Sequence, residues 1–246
     1  MRIMLFVFTL IISQLSMAEK VVHLTSLDWP PYASKNLPQQ GASVAVASAA
    51  FKAMGYKLVV EFLPWSRAVN EAKSPTSQYM GYFPEYYSQE VAKEFTYSQP
   101  MGSGPLGFVE QAGKAITWNA LSDLKGKRIG VVQDYVNTTE FDSLVASGIL
   151  KVSAVVSDSK NLRKIINNRL DVAVIDKNVM RYLFKHDKSL KGEESKAHFQ
   201  EKLLEDKELF ICFKKNKMGQ QMADIYNQGL KKIDVNSIMK NFLNAN

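Results

Sequence analysis

The sequence predicts an α/β protein of two lobes joined by a hinge of two crossing segments. Three observations predict it. A β-α-β-α alternation runs over residues 21–72, and the same rhythm restarts after residues 122–127. Between the two runs, residues 97–105 (Tyr-Ser-Gln-Pro-Met-Gly-Ser-Gly-Pro) are rich in turn formers. Strands alternating with helices imply parallel sheets covered by helices, and two separate runs imply two sheets.

The first run opens with a strand at residues 21–25, followed by the turn Asp28-Trp29-Pro30-Pro31-Tyr32. Gly41 precedes a small-residue helix over 42–54 whose apolar positions recur at helical spacing, and Gly55 ends it as a C-cap glycine. A strand at 57–63 follows, and after Pro64 a short amphipathic helix at 65–72. The first crossing leads into a strand at 106–110. The second run has strands at 128–133, 151–156 and 172–175. Its helices are expected at 137–146, where Asn137 and Glu140 have the spacing of a capping box, from Asp158 as cap to 168, and at 178–185. A strand at 208–214 and helices at 218–232 and 236–243 close the chain. The expected division is residues 19–107 as lobe 1, 108–209 as lobe 2 and 210–246 as a return to lobe 1. A ligand would then sit in the cleft, where strand ends and helix N-termini converge.

Residues 1–18 read as a signal peptide. Arg2 supplies the charge, residues 3–12 are apolar except for Thr9, and Ser16-Met17-Ala18 offers small residues at the two positions a peptidase reads. Roughly ten apolar residues fall short of the ~20 that a membrane span needs. Cleavage after Ala18 and a free protein of the periplasm are therefore expected, with no membrane insertion. The only cysteine, Cys212, has no intramolecular partner and reads as a buried small side chain in a strand. The formal net charge of +7 comes from lysines spread along the chain, which argues against a nucleic-acid partner and for solubility. His23, His186 and His198 are too scattered for a metal site, and no glycine-rich phosphate loop is present, so neither metal nor cofactor is expected. The protein is expected to act as a monomer.

Several segments, in order, resemble a known family. They are the strand leading to Asp28-Trp29-Pro30-Pro31-Tyr32, Gly41 opening a helix, Ser98-Gln99-Pro100, the stretch Asp123-Leu124-Lys125-Gly126-Lys127-Arg128-Ile129-Gly130-Val131, and Asn168-Arg169-Leu170-Asp171-Val172-Ala173-Val174-Ile175-Asp176. Together they resemble the amino-acid-binding branch of the periplasmic solute-binding proteins of ABC transporters, over essentially the whole mature chain. The resemblance implies the type II two-lobed fold, closure on a small polar ligand, and delivery to a transporter permease; a membrane sensor is the alternative partner. It implies that Asp176 holds a ligand ammonium, the residue-level alternative being a cap for the following helix. Where typical members carry a carboxylate-clamping arginine, Val91 stands here. Asp134-Tyr135-Val136-Asn137 likewise replaces the loop that typically holds the carboxylate with a helix N-terminus.

Arg67, after Pro64-Trp65-Ser66, is the candidate substitute cation, or else a surface arginine packed on Trp65. Trp29, Tyr32, Tyr135 and the aromatics around Pro84-Glu85 (Tyr82, Phe83, Tyr86 and Tyr87) fall on expected loops at the cleft edge, where they either sandwich a ligand or pack a lobe. The candidate ligand-binding residues are thus Trp29, Tyr32, Trp65, Arg67, Glu85, Tyr86, Tyr135, Asn137 and Asp176. Some proteins of the fold are enzymes. Only Glu85 and Asp176 offer a general acid or base, and binding without catalysis is the expected activity.

Overall fold

The computed structural model describes residues 20–245, so the expected signal peptide lies outside the described residues. Strand β1 (Lys20–Ser26) pairs in parallel with β2 (Tyr56–Phe62) and, on its other side, with β3 (Gly81–Tyr86). Helix α1 (Ala42–Ala53) covers this sheet, and Gly55 ends it with φ 78°, the left-handed conformation that glycine adopts without strain. Helix α2 (Trp65–Lys73) starts directly after Pro64, and α3 (Gln89–Glu94) leads into the short β4 (Phe95–Tyr97).

The second sheet contains β5 (Ser103–Gln111), β6 (Ile129–Val132), β7 (Val152–Val155) and β8 (Val172–Asp176). Strands β7, β6 and β8 run parallel, and β5 lies antiparallel beside β8. Helices α4 (Thr139–Ala146), α5 (Asp158–Ile166) and α6 (Lys177–His186) connect and flank them.

The two sheets share one strand. β9 (Ala197–Lys214) pairs with β5 through residues 197–208 and with β3 through residues 209–213, giving the path β2-β1-β3-β9-β5-β8-β6-β7. The two crossings are bonded to each other: Leu209 donates its amide to the Gly102 carbonyl and accepts from the Met101 amide, both at 2.8 Å. Helices α7 (Lys217–Leu230) and α8 (Val235–Ala245) then pack on α1, with Tyr226 and Phe51 ring centroids 5.3 Å apart. Among the described residues no helix is long and apolar enough to cross a membrane.

Four expectations need correction. The strand expected at 208–214 begins eleven residues earlier, at Ala197, because Glu201, Lys202, Glu205 and Asp206 lie in an exposed ribbon whose backbone pairs with β5. Tyr82, Phe83 and Tyr86 lie not on a loop but in β3, whose six residues are all buried despite Pro84 and Glu85. Asn137 is not the α4 cap: Thr138 is, its hydroxyl accepting from the Phe141 amide. Asp158 is the first helical residue of α5, Ser157 being the N-cap, and its carboxylate accepts from the Trp29 indole.

Candidate functional site

The loop after β1 folds back through paired bonds between Trp29 and Ala33. It stacks the Trp29 and Tyr32 rings at 4.7 Å and presents both to the second lobe. Four bonds close the cleft. The Trp29 indole donates to Asp158 Oδ2 at 3.2 Å, and the Tyr32 hydroxyl donates to Asp176 Oδ2 at 3.1 Å. The Trp65 indole donates to the Asp134 carbonyl at 2.9 Å, and the neighbouring Ser66 hydroxyl donates to the Asp134 carboxylate.

The second-lobe acids occupy equivalent places. Asp158 follows β7 and opens α5, while Asp176 ends β8 and opens α6. Asp176 is both a cap and a cleft group. Its Oδ1 accepts from the Asn178 and Val179 amides at 2.7 and 3.1 Å, leaving Oδ2 for Tyr32. Gly104 in β5 makes room for that contact, since a Cβ there would collide with both Asp176 Oδ2 and the Tyr32 hydroxyl. From the first lobe, Glu85 accepts from the Tyr82 hydroxyl at 3.0 Å and from the Tyr86 amide at 2.8 Å.

All three carboxyls are buried, and burial dominates their chemistry. It pushes Asp158 and Asp176 up to about 7 and Glu85 up to about 8, against the hydrogen bonds that favour ionisation. Nearby, Lys207 on β9 is buried too, 3.4 Å from Glu205 and 5.5 Å over the Tyr86 ring. Its charge favours ionisation of Glu85 but does not offset the burial.

Between the lobes lie two small hollows and an open mouth. One hollow of about 20 Å³ is bordered by Trp29, Trp65, Glu85, Tyr86 and Tyr135. The other, about 10 Å³, is bordered by Trp29, Tyr86, Tyr135, Asn137, Asp158 and Asp176. The mouth, about 540 Å³, reaches Trp29, Trp65, Tyr135 and Asp158, with Asp28, Lys35 and Asp187 at its rim. The Tyr86 hydroxyl is buried beside both hollows and has no hydrogen-bond partner among the described residues.

The cleft therefore brings together Trp29, Tyr32, Trp65, Glu85, Tyr86, Tyr135, Asn137 and Asp176, but not Arg67. The Arg67 guanidinium lies on the outer face of α2, 67% exposed and 3.8 Å from Glu71. Asn137 is engaged in its own loop, donating to Asp142 from its backbone and side chain at 2.9 Å each. Val91, in place of an arginine, packs against the cluster of Tyr82 and Phe95. Sequence reasoning missed Asp158 and Gly104 as cleft residues. The signal for Asp158 was its place after a strand and at a helix start, the same as that of Asp176.

The backbone amides at the starts of α1, α4 and α6 are already taken. Pro31 and Tyr32 carbonyls accept from Ala42 and Ser43 at the start of α1. Asp176 occupies the start of α6, and Thr138 with Asp142 the start of α4. At these three helix starts the cleft presents acids and aromatic faces, and the uncapped start of α5 carries the Asp158 carboxylate.

No protein-family model matches the sequence, and no curated protein matches it. Solved structures do match its fold. A histidine kinase sensor domain with similarity to periplasmic binding proteins superposes with a TM-score of 0.75 at 14% identity, covering 91% of this chain and 96% of that one. An amino acid ABC transporter substrate-binding protein from Streptococcus pneumoniae, bound to L-arginine, gives 0.71 at 12% identity, covering 92% and 95%. An ancestral amino-acid-binding protein, a precursor of cyclohexadienyl dehydratase, gives 0.67 at 15% identity, covering 92% and 94%. The chain has the two-lobed type II periplasmic-binding-protein fold.

Proposed function

We propose that the protein captures a small polar solute by closing its two lobes, and that it does so in the periplasm for uptake through an ABC transporter. The observation that carries this reading is the set of cross-cleft bonds, Trp29 to Asp158, Tyr32 to Asp176 and Trp65 to Asp134, made by residues on opposite sides of paired crossings at Met101, Gly102 and Leu209. Bonds of this kind report closure, and a hinge of two bonded strands lets closure occur without unpairing either sheet. Trp29, Tyr32, Trp65, Glu85, Tyr86, Tyr135 and Asp176 are the contacting residues in this reading, joined by Asp158.

The test is a thermal-shift screen of the mature protein against amino acids, amines and small organic acids, followed by small-angle scattering with any hit. A ligand that binds only the native state raises the midpoint. The expected hit also reduces the radius of gyration and is recovered chemically unchanged. Conversion of the hit would replace capture with catalysis, the reading that the ancestral dehydratase precursor keeps open.

A second reading, presentation of the ligand to a membrane sensor, is favoured by the fold shared with the histidine kinase sensor domain. Deleting the gene separates the two. Loss of ligand uptake supports transport, and loss of a transcriptional response with intact uptake supports sensing.

A further inference from the structure

We infer that the cleft is built for an organic cation carrying more than one ammonium group and no carboxylate, such as an aliphatic diamine or polyamine. Its inner ammonium lies between Asp158 and Asp176, and its tail passes Trp29 toward the mouth. This rests on the capture reading above and names the ligand class of the same cleft.

Charge is the first ground. Asp158 and Asp176 border one hollow, close enough that the charge of Asp158 bears on Asp176, and neither has a cationic partner among the described residues. Two buried carboxylates that share a site cannot both stay ionised unless a cation joins them. Asp28 and Asp187 continue the same sign at the mouth, where Lys35 is the one cation among the described residues.

The missing anion site is the second ground. A carboxylate needs an arginine fork or free helix amides. Arg67 faces solvent, Val91 is packed in an aromatic cluster, the amides of α1, α4 and α6 are taken by protein oxygens, and at the start of α5 the Asp158 carboxylate itself opposes a second anion. Lys207 borders neither hollow and has Glu205 beside it.

Shape is the third ground. Trp29, Tyr86 and Tyr135 offer ring faces and edges around both hollows, surfaces that attract ammonium and cover methylene groups. The unpartnered Tyr86 hydroxyl is an acceptor for an N–H donor. Asp158 and Trp29 belong to both the inner hollow and the mouth, so a tail has a continuous path outward.

Isothermal titration of the mature protein at pH 8 tests this with 1,4-diaminobutane, spermidine, butylamine, L-arginine and L-glutamate. Expected are binding of the diamine and of spermidine, at least about tenfold tighter than butylamine, and no binding of the amino acids. Asp158→Asn should weaken spermidine about tenfold or more. Asp28→Asn, at the exposed rim, should weaken spermidine about threefold while leaving the fold intact. Amino acids binding as tightly as the amines would overturn the ligand class and leave capture standing. Silence from every compound here and in the wider screen would overturn both. Equal affinity of spermidine for wild type and both variants would overturn the placement.

Discussion

Trp29 of the first lobe and Asp158 of the second are joined by an indole-to-carboxylate bond of 3.2 Å, and both residues are buried. Asp158 thereby has a neutral donor from across the cleft in place of a cation. Trp29→Phe keeps the ring against Tyr32 and removes only the donor. The expected cost is about 1–3 kcal/mol, the usual effect of leaving a buried polar group unpaired. For a chain of this size that lowers the melting temperature by about 2–4 °C per kcal/mol. Scattering should also show a more open average shape. An unchanged melting curve and unchanged radius would mean that this bond contributes nothing to closure.

Gly104 tests the second contact. A Cβ there would collide with both partners of the Tyr32–Asp176 bond, so Gly104→Ala must push them apart. Crowding a packed interior typically costs about 1–3 kcal/mol. The distinguishing readout is affinity. Ligand binding should fall by at least tenfold, while circular dichroism of the folded protein stays that of wild type. Retained affinity would show that Tyr32 and Asp176 can separate without harm to the site.

Close helix packing in the first lobe gives a prediction independent of any ligand. Gly229 of α7 lies against the Ala50 backbone of α1, where a Cβ would collide with the carbonyl. Gly229→Ala therefore forces the helices apart and should destabilise by about 1–3 kcal/mol. Gly148, at φ 75°, has nothing near its missing Cβ, so Gly148→Ala pays only for its left-handed backbone, about 1–2 kcal/mol. A larger loss of melting temperature at Gly148 than at Gly229 would contradict the packing argument.

The alternation of strands and helices was legible because β1, α1, β6 and β8 owe their form to local apolar patterns that few other arrangements satisfy. β3 was not, because Pro84 and Glu85 read as a loop. Its six residues are buried by β1 and β9 on either side, which is tertiary context. The first half of β9 was equally hidden, since Glu201, Lys202, Glu205 and Asp206 show no strand alternation and owe their extended form to β5. In the site, Asp176 was named from the family resemblance and Trp29 and Tyr32 from the loop after the first strand, whereas Tyr86 was named on a loop and lies in β3. Arg67 stood between cleft cation and surface arginine, and its side of α2 was not legible because it depends on Ala68 and Ala72 being the buried face. Gly104 could not be seen at all, because its role is set by two side chains 72 residues before and after it.

The buried carboxyls predict how the unliganded protein responds to pH. Asp158 and Asp176 titrate near 7 and Glu85 near 8 in the folded chain, whereas all three titrate near 4 when unfolded. Between those limits the native state holds more protons than the unfolded state, so stability falls as pH rises. The loss begins above about pH 4 and levels off only past the folded value of Glu85, toward about pH 9. Asp171 has the opposite sign. Its bonds with Arg128 hold its carboxyl below the usual range, so its contribution is lost only as pH falls through the acid end. The melting temperature should therefore peak at about pH 4 and decline toward pH 9. Asp158→Asn removes one of the three titrations and should flatten the decline. A bound polyamine should flatten it further, because each ammonium takes the place of a proton. A melting temperature that rises from pH 5 to pH 9 in the unliganded protein would show that these carboxyls are hydrated, and the closed cleft with its buried acids would then not be the resting state.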